Sequence, residues 1–279
     1  MPEKPLPNPR AALCRIKRRV TGWLRHLATP APVPDALWGQ ALSPYPFMRQ
    51  MDAPTRARLK RMVEHFLAAK QFTGANGLRV TDAMAIAVAA QACLPLLWLG
   101  RARRPESALH WYKDFVGIVL QPGDVVARRE AVDAQGLVHT WAEVLMGEAM
   151  ERGPLMLSWS AVQEAASTTG EGANVVIHEF AHKIDMNGGA ADGCPPLRRG
   201  ILGAPSAASA RVRWAALWLS VFETFRDQVI AAERFGAPAP WLNAYGATSP
   251  AEFFAVACEA HFVNPERFAL EYPQLAACL

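Results

Sequence analysis

The sequence predicts an α+β fold, rich in helix and with a small sheet. Three observations carry that expectation. Apolar residues recur at spacings of three and four through 53–70, 207–234 and 249–262, which is the stripe one helix face buries. Phe115–Leu120 and Leu155–Trp159 are short apolar runs beside Pro-Gly or Gly-Pro punctuation, the pattern of strands. Capping residues stand where helices should begin: Asp52 ahead of Pro54, Thr81 before Asp82, and Ser249 before Pro250.

In chain order, residues 10–28 carry Leu13, Ile16, Val20, Trp23 and Leu27 as a stripe edged by Arg and Lys. The plain reading is a packed helix with a solvated basic rim. The functional alternative is an arm for an anionic membrane or acidic partner. Thr29–Pro34 (TPAPVP) reads as a stiff linker, so residues 1–35 are expected to form a basic arm and linker ahead of a domain over 36–279. Leu59, Met62, Val63, Phe66 and Leu67 mark the buried side of 53–70. Ala83–Gly100 is apolar over 18 residues, yet it is mostly alanine and holds Gln91 and Pro95. Alanine is weakly lipophilic, so a buried helix is expected rather than a membrane span. A helix through Ile177 should stop near Gly188-Gly189. Trp214, Leu217, Trp218, Val221, Phe225 and Val229 line the apolar side of 207–234.

Composition removes several classes. With 51% hydrophobic and 19% charged residues, the chain can bury a sizeable core and is not a disordered protein. A net charge of +4 is too weak to imply nucleic-acid binding. Five scattered cysteines with no CxxC pair argue against a disulfide framework and a thiolate zinc knuckle. Met1–Pro9 does not read as the start of a signal peptide, and cytoplasm is the expected setting.

The chemistry sits at His178-Glu179-Phe180-Ala181-His182, an HExxH pattern. Residues four apart share one helix face, so both imidazoles can reach one metal ion, and zinc favours imidazole. Glu179 stands beside the first imidazole, where a carboxylate can take a proton from water. Catalytic zinc normally takes three protein ligands. The metzincin continuation is absent, because Asp185 and Gly188 occupy its glycine and third-histidine positions. Spacing leaves Asp185, Asp192, Glu252, Glu259 and His261 open as the third ligand. Glu252 also fits a capping box opened by Ser249.

Five blocks then carry a resemblance: AQACLPLLWLG (90–100), WYKDFVGIVLQPG (111–123), GEAMERGPLMLSWSAV (147–162), NVVIHEFAHKIDMNGG (174–189) and YGATSPAEFFAVACEAHF (245–262). Together they resemble the Mlc titration factor A family, zinc-dependent peptidases with a gluzincin-like site, over residues 38–275. The resemblance implies a zincin-like domain over 36–279 with Zn²⁺ as cofactor. It places the third ligand on Glu252, joining His178 and His182, and puts Tyr245 at the site. It leaves Glu179 as general base and Tyr245 as a hydrogen-bond donor to the developing oxyanion. It further implies aminopeptidase-like hydrolysis of a peptide substrate, and, as the alternative, sequestration of a transcriptional repressor, Mlc. The long basic arm and the end at Leu279 depart from the family pattern without touching the zinc motif; they bear on the partner surface.

Further expectations come from the residues. Leu155–Trp159 is either a sheet edge for an extended peptide or an ordinary sheet member. Glu259 is a candidate partner for a ligating histidine, while Asp185 reads more simply as a surface carboxylate. Cys258 and His261 read as core or rim residues of the last long helix.

Overall fold

The structure, a computed structural model, describes residues 30–132, 138–145, 147–149 and 153–279. The basic segment 10–28 lies outside the described residues. Residues 30–34 have no regular structure, but Val33 is buried and its amide donates to Glu64 Oε1 at 3.0 Å. That tie docks the end of the proline-rich stretch on the domain.

Helices α1 (Asp35–Leu42) and α2 (Pro46–Arg49) lead into α3 (Ala53–Ala69). Asp52 caps α3 by accepting from the Thr55 amide at 2.7 Å, and Pro54 sits in the first turn, where its missing N–H costs nothing. Strand β1 (Gln71–Gly74) follows, then α4 (Asp82–Cys93), with Thr81 accepting from the Met84 amide at 3.3 Å. The long apolar run therefore makes a helix of only 12 residues, and Pro95 turns the chain into a 3₁₀ segment over Leu94–Leu96. Among the described residues no helix is long and apolar enough to cross a membrane.

Strands β2 (Gly117–Gln121), β3 (Val125–Val132), β4 (Val138–Leu145), β5 (Gly147–Ala149) and β6 (Leu155–Ser158) come next. β3 and β4 form an antiparallel pair. The other four build one sheet in the order β1-β2-β6-β5, in which β1, β2 and β6 run parallel and β5 runs antiparallel along β6. Ile118, Leu120, Leu155 and Leu157 are fully buried, as alternate residues on one sheet face should be. For 155–159 the structure corrects one expectation and decides between two others. The strand ends at Ser158, whose hydroxyl caps α5 (Trp159–Glu164) by accepting from the Ala161 amide, so Trp159 is helical. It also lies inside the sheet, since β5 covers its outer side, so of the two readings the ordinary sheet member holds.

The remaining elements are α6 (Val175–Asp185), α7 (Ala207–Phe235), α8 (Pro250–Val263), α9 (Pro265–Glu271) and α10 (Pro273–Ala276). Ser206 caps α7 at its start, and Gly236 ends it at φ 69°, a left-handed turn suited to glycine. Trp214 and Trp218 stack on α7 with ring centroids 4.8 Å apart, and both meet Phe254 of α8 edge-on. Under α6, Phe180 packs among Phe66, Tyr112 and Phe115 at 4.9 to 6.0 Å between centroids. Burying that ring contributes about 2–3 kcal/mol, and it fixes how α6 is rotated on its axis.

Candidate metal centre

Helix α6 starts at Asn174, whose side-chain oxygen accepts from the Ile177 amide at 3.0 Å. With Val176, Ile177, Phe180 and Ala181 turned into the core, the helical repeat leaves His178 and His182 together on the opposite side. Helix α8 starts at Ser249, whose hydroxyl accepts from the Glu252 amide at 3.2 Å. Only that half of the capping box forms. The Glu252 carboxylate instead reaches across to α6.

Glu252 Oε2 lies 3.0 Å from His178 Nε2 and 3.2 Å from His182 Nε2. The two Nε2 atoms are 3.2 Å apart. Three donor atoms thus form a nearly equilateral triangle, and His178, His182 and Glu252 are the group able to hold a metal among the described residues. The ligands of a tetrahedral ion with bonds of about 2.0–2.1 Å lie about 3.3 Å from one another, so the triangle fits. The donor chemistry fits as well, since two imidazoles and a carboxylate form a zinc set.

The support behind the triangle is ordered. His178 Nδ1 lies 2.7 Å from Glu259 Oε1, which leaves Nε2 to face the centre. Glu259 Oε2 accepts from the Asn174 amide, and the Asn174 side chain donates to Gln91 Oε1 at 2.7 Å. Gln91, Asn174 and Glu259 are all buried. Their bonds link α4, the start of α6, and α8.

Burial pushes the Glu252 carboxyl up, but the hydrogen bonds and charge of His178 and His182 win and hold it at about 2. Burial pushes His178 down, yet the Glu259 charge and the hydrogen bonds to Glu252 and Glu259 raise it well above its ordinary value. The Glu252 carboxylate is therefore held in its charged form between the two imidazoles, and a negative centre of this kind favours a cation. Glu179 is buried beside the triangle, and burial raises its pKa against the opposing charges of the two histidines. Gly147 on β5 presses on it: a Cβ there would stand 2.6 Å from Glu179 Cγ and Oε1. Tyr245 sits in a 3₁₀ turn over Ala244–Ala247, half exposed, with its ring 6.0 Å from the His178 ring. A cavity of about 470 Å³ opens here, lined by His178, Glu179, Tyr245 and Gly147 among others.

Asp185, Asp192 and His261 stand apart from the triangle. Asp192 pairs with Arg211, and His261 packs on Phe262 and Phe268. Cys258 is buried in the core. Asp185 corrects an expectation. It is 1% exposed, not a surface residue, and its Oδ2 accepts from the Gly193 amide at 2.7 Å. Sequence reasoning missed Gln91, Asn174 and Gly147. Asn174 was findable as a helix cap; Gly147 carries no local signal, because its constraint comes from a residue 32 positions away on α6.

A buried HExxH helix whose imidazoles meet a glutamate from a second helix is the donor arrangement that metallopeptidases use. The chain belongs to the M90 metallopeptidase family. The family model described as glucose-regulated metallo-peptidase M90 matches residues 17–279. Similar proteins include Mlc titration factor A of Salmonella arizonae, 34% identical over 244 residues (86% of this chain, 87% of that protein). The same-named proteins of Cronobacter sakazakii and of an Enterobacter species are each 32% identical, over 90% and 87% of this chain and 85% and 84% of their own.

Proposed function

We propose that the chain is a zinc-dependent peptidase, aminopeptidase-like in preference, with its hydrolase unit in residues 36–279 and a zincin-like fold. The observation that carries this reading is the donor triangle of 3.0–3.2 Å with Glu179 buried beside it. His178, His182 and Glu252 would hold the ion. When bound, zinc supplies Lewis acidity, bringing water's pKa toward about 7 and polarising a scissile carbonyl.

The chain's own residues do the rest. Glu179 takes the proton of the attacking water and delivers it to the leaving amine. Its burial supports the first step, since a carboxylate shielded from water is a stronger base. Tyr245 donates to the developing oxyanion. Glu259 holds His178 in the tautomer that presents Nε2. Strand β5 offers its outer edge to an extended peptide, whose main chain would pair beside Glu179. The expected cytoplasmic setting is carried with this reading.

The test is zinc content and peptidase activity in wild type and Glu179→Gln, with aminoacyl and internally quenched peptides. Zinc in both proteins, with activity reduced at least about 10²-fold in the variant, is expected. Equal activity in both rejects Glu179 as the base.

A second reading comes from the relatives' name, which says that they titrate Mlc. In that reading the chain binds an Mlc-like repressor and hydrolysis is secondary. Zinc in both proteins without turnover of any peptide, together with a stable complex with such a repressor, would favour it.

A further inference from the structure

The loop that leaves the 3₁₀ segment at Leu94–Leu96 carries Trp98 and Leu99, which are 68% and 48% exposed. One exposed apolar residue is ordinary, but two large ones side by side at a turn form a patch. The turn is held from inside. The Arg58 guanidinium, from α3, donates to the carbonyls of Leu97, Ala102 and Gly100 at 2.7, 3.1 and 3.3 Å. It also lies 5.0 Å from the centre of the Trp98 ring. One side chain thus satisfies three backbone acceptors and fixes the loop with Trp98 and Leu99 turned to water. Neither adds to the core, so core packing does not account for them.

Arginines surround this tip. Arg61 on α3 and Arg104 share one carboxylate, Glu106, at 3.1 and 3.5 Å. Arg101 and Arg103 are exposed, and among the described residues neither pairs with a carboxylate. With Arg58 bonded to carbonyls, which carry no net charge, the patch stays strongly positive. The chain also enters the domain here. Glu64, which holds the Val33 amide, and Lys60, which pairs with Asp35 at 2.6 Å, lie on the same helix as Arg58 and Arg61. The basic sequence over 10–28, with Arg15, Lys17, Arg18 and Arg19, is therefore joined to the helix that already carries the patch.

Arginines around a pair of exposed apolar side chains match the layers of an anionic bilayer surface. Guanidinium groups take lipid phosphates, and Trp and Leu enter the boundary between headgroups and acyl chains. A nucleic acid would satisfy the arginines and stack on Trp98, but it offers Leu99 no apolar contact. We propose that this tip docks the protein on the surface of an anionic phospholipid membrane, with Trp98 and Leu99 as the apolar anchor and Arg101 and Arg103 as the phosphate contacts. The proposal is independent of the peptidase reading.

The test is co-sedimentation of the full-length zinc-loaded protein with two kinds of vesicle, phosphatidylcholine alone and phosphatidylcholine mixed with about one-third phosphatidylglycerol. Wild type should bind the anionic vesicles at least about tenfold more strongly, and less as salt rises. Replacing both Arg101→Gln and Arg103→Gln should weaken binding about 25-fold, or roughly fivefold for each charge. Trp98→Ala should weaken it about tenfold. Brominated lipid should quench tryptophan emission in wild type, and Trp98→Phe should remove part of that quenching. Zinc content and the unfolding midpoint check that each variant is folded. Equal binding to neutral and anionic vesicles overturns the proposal. So does anionic binding that the arginine and Trp98 variants leave unchanged, or quenching that Trp98→Phe leaves unchanged. Binding of duplex DNA or polyglutamate without binding of anionic vesicles overturns the choice of a membrane.

Discussion

Replacing Gly147 by alanine tests whether the sheet edge sets the position of Glu179. The added methyl would lie 2.6 Å from Glu179 Cγ and Oε1 and 2.8 Å from Cδ. Ordinary contact begins near 3.4 Å, so one partner must move by the difference between 2.6 and 3.4, or 0.8 Å. Glu179 is buried and cannot swing into solvent. β5 is held by its ladder to β6, with Gly147 opposite Leu157. The displacement therefore falls on the carboxylate or on a short edge strand. A misplacement near 1 Å of a group that must meet a reacting atom costs roughly 10²-fold in rate. We expect Gly147→Ala to retain zinc, measured by elemental analysis, and to lose about 10²-fold in kcat/KM. A zinc-loaded Gly147→Ala protein within threefold of wild type would refute the reasoning, because the carboxylate would then have room that the packing denies.

Two further outcomes follow from the surroundings of the centre. Glu259→Gln keeps the shape but loses the charge behind His178, and competition with a chelator should show zinc bound about 10- to 100-fold more weakly; unchanged affinity would remove Glu259 from the support. Asp185 is raised by burial to about 6 from 3.8, against the opposing hydrogen bond from Gly193, so the folded state favours its neutral form. That contribution is complete below pH 3.8 and is lost as pH rises through about 6. Denaturant unfolding of the metal-free protein should therefore show wild type losing about 2 kcal/mol relative to Asp185→Asn between pH 4 and 6; parallel pH curves would contradict this.

Much of the local structure was legible. The stripes of 53–70, 207–234 and 249–262 became α3, α7 and α8 to within a residue or so at each end, and Asp52, Thr81 and Ser249 cap as their residue types suggest. Each of these signals is contained within one or two helical turns, so neighbouring residues suffice to read it. β1 and β5 were not legible, because a strand of three or four residues is stabilised by its partner rather than by its own pattern.

The sequence by itself determined that two imidazoles four residues apart share a helix face with a glutamate between them, since the helical repeat alone ensures it. Spacing left five residues open for the third position, and the family resemblance pointed to Glu252 among them. Only the tertiary structure decided that Glu252, 70 residues beyond His182, meets both imidazoles, while Asp185 turns to Gly193 and Glu259 stands behind His178. It also decided that β5, not β6, is the sheet edge and that Gly147 is the residue pressed against Glu179. The reason is physical. A helix repeats every few residues and writes its faces into adjacent positions, whereas the meeting of α6, α8 and β5 depends on how distant apolar surfaces pack, and no local spacing encodes that.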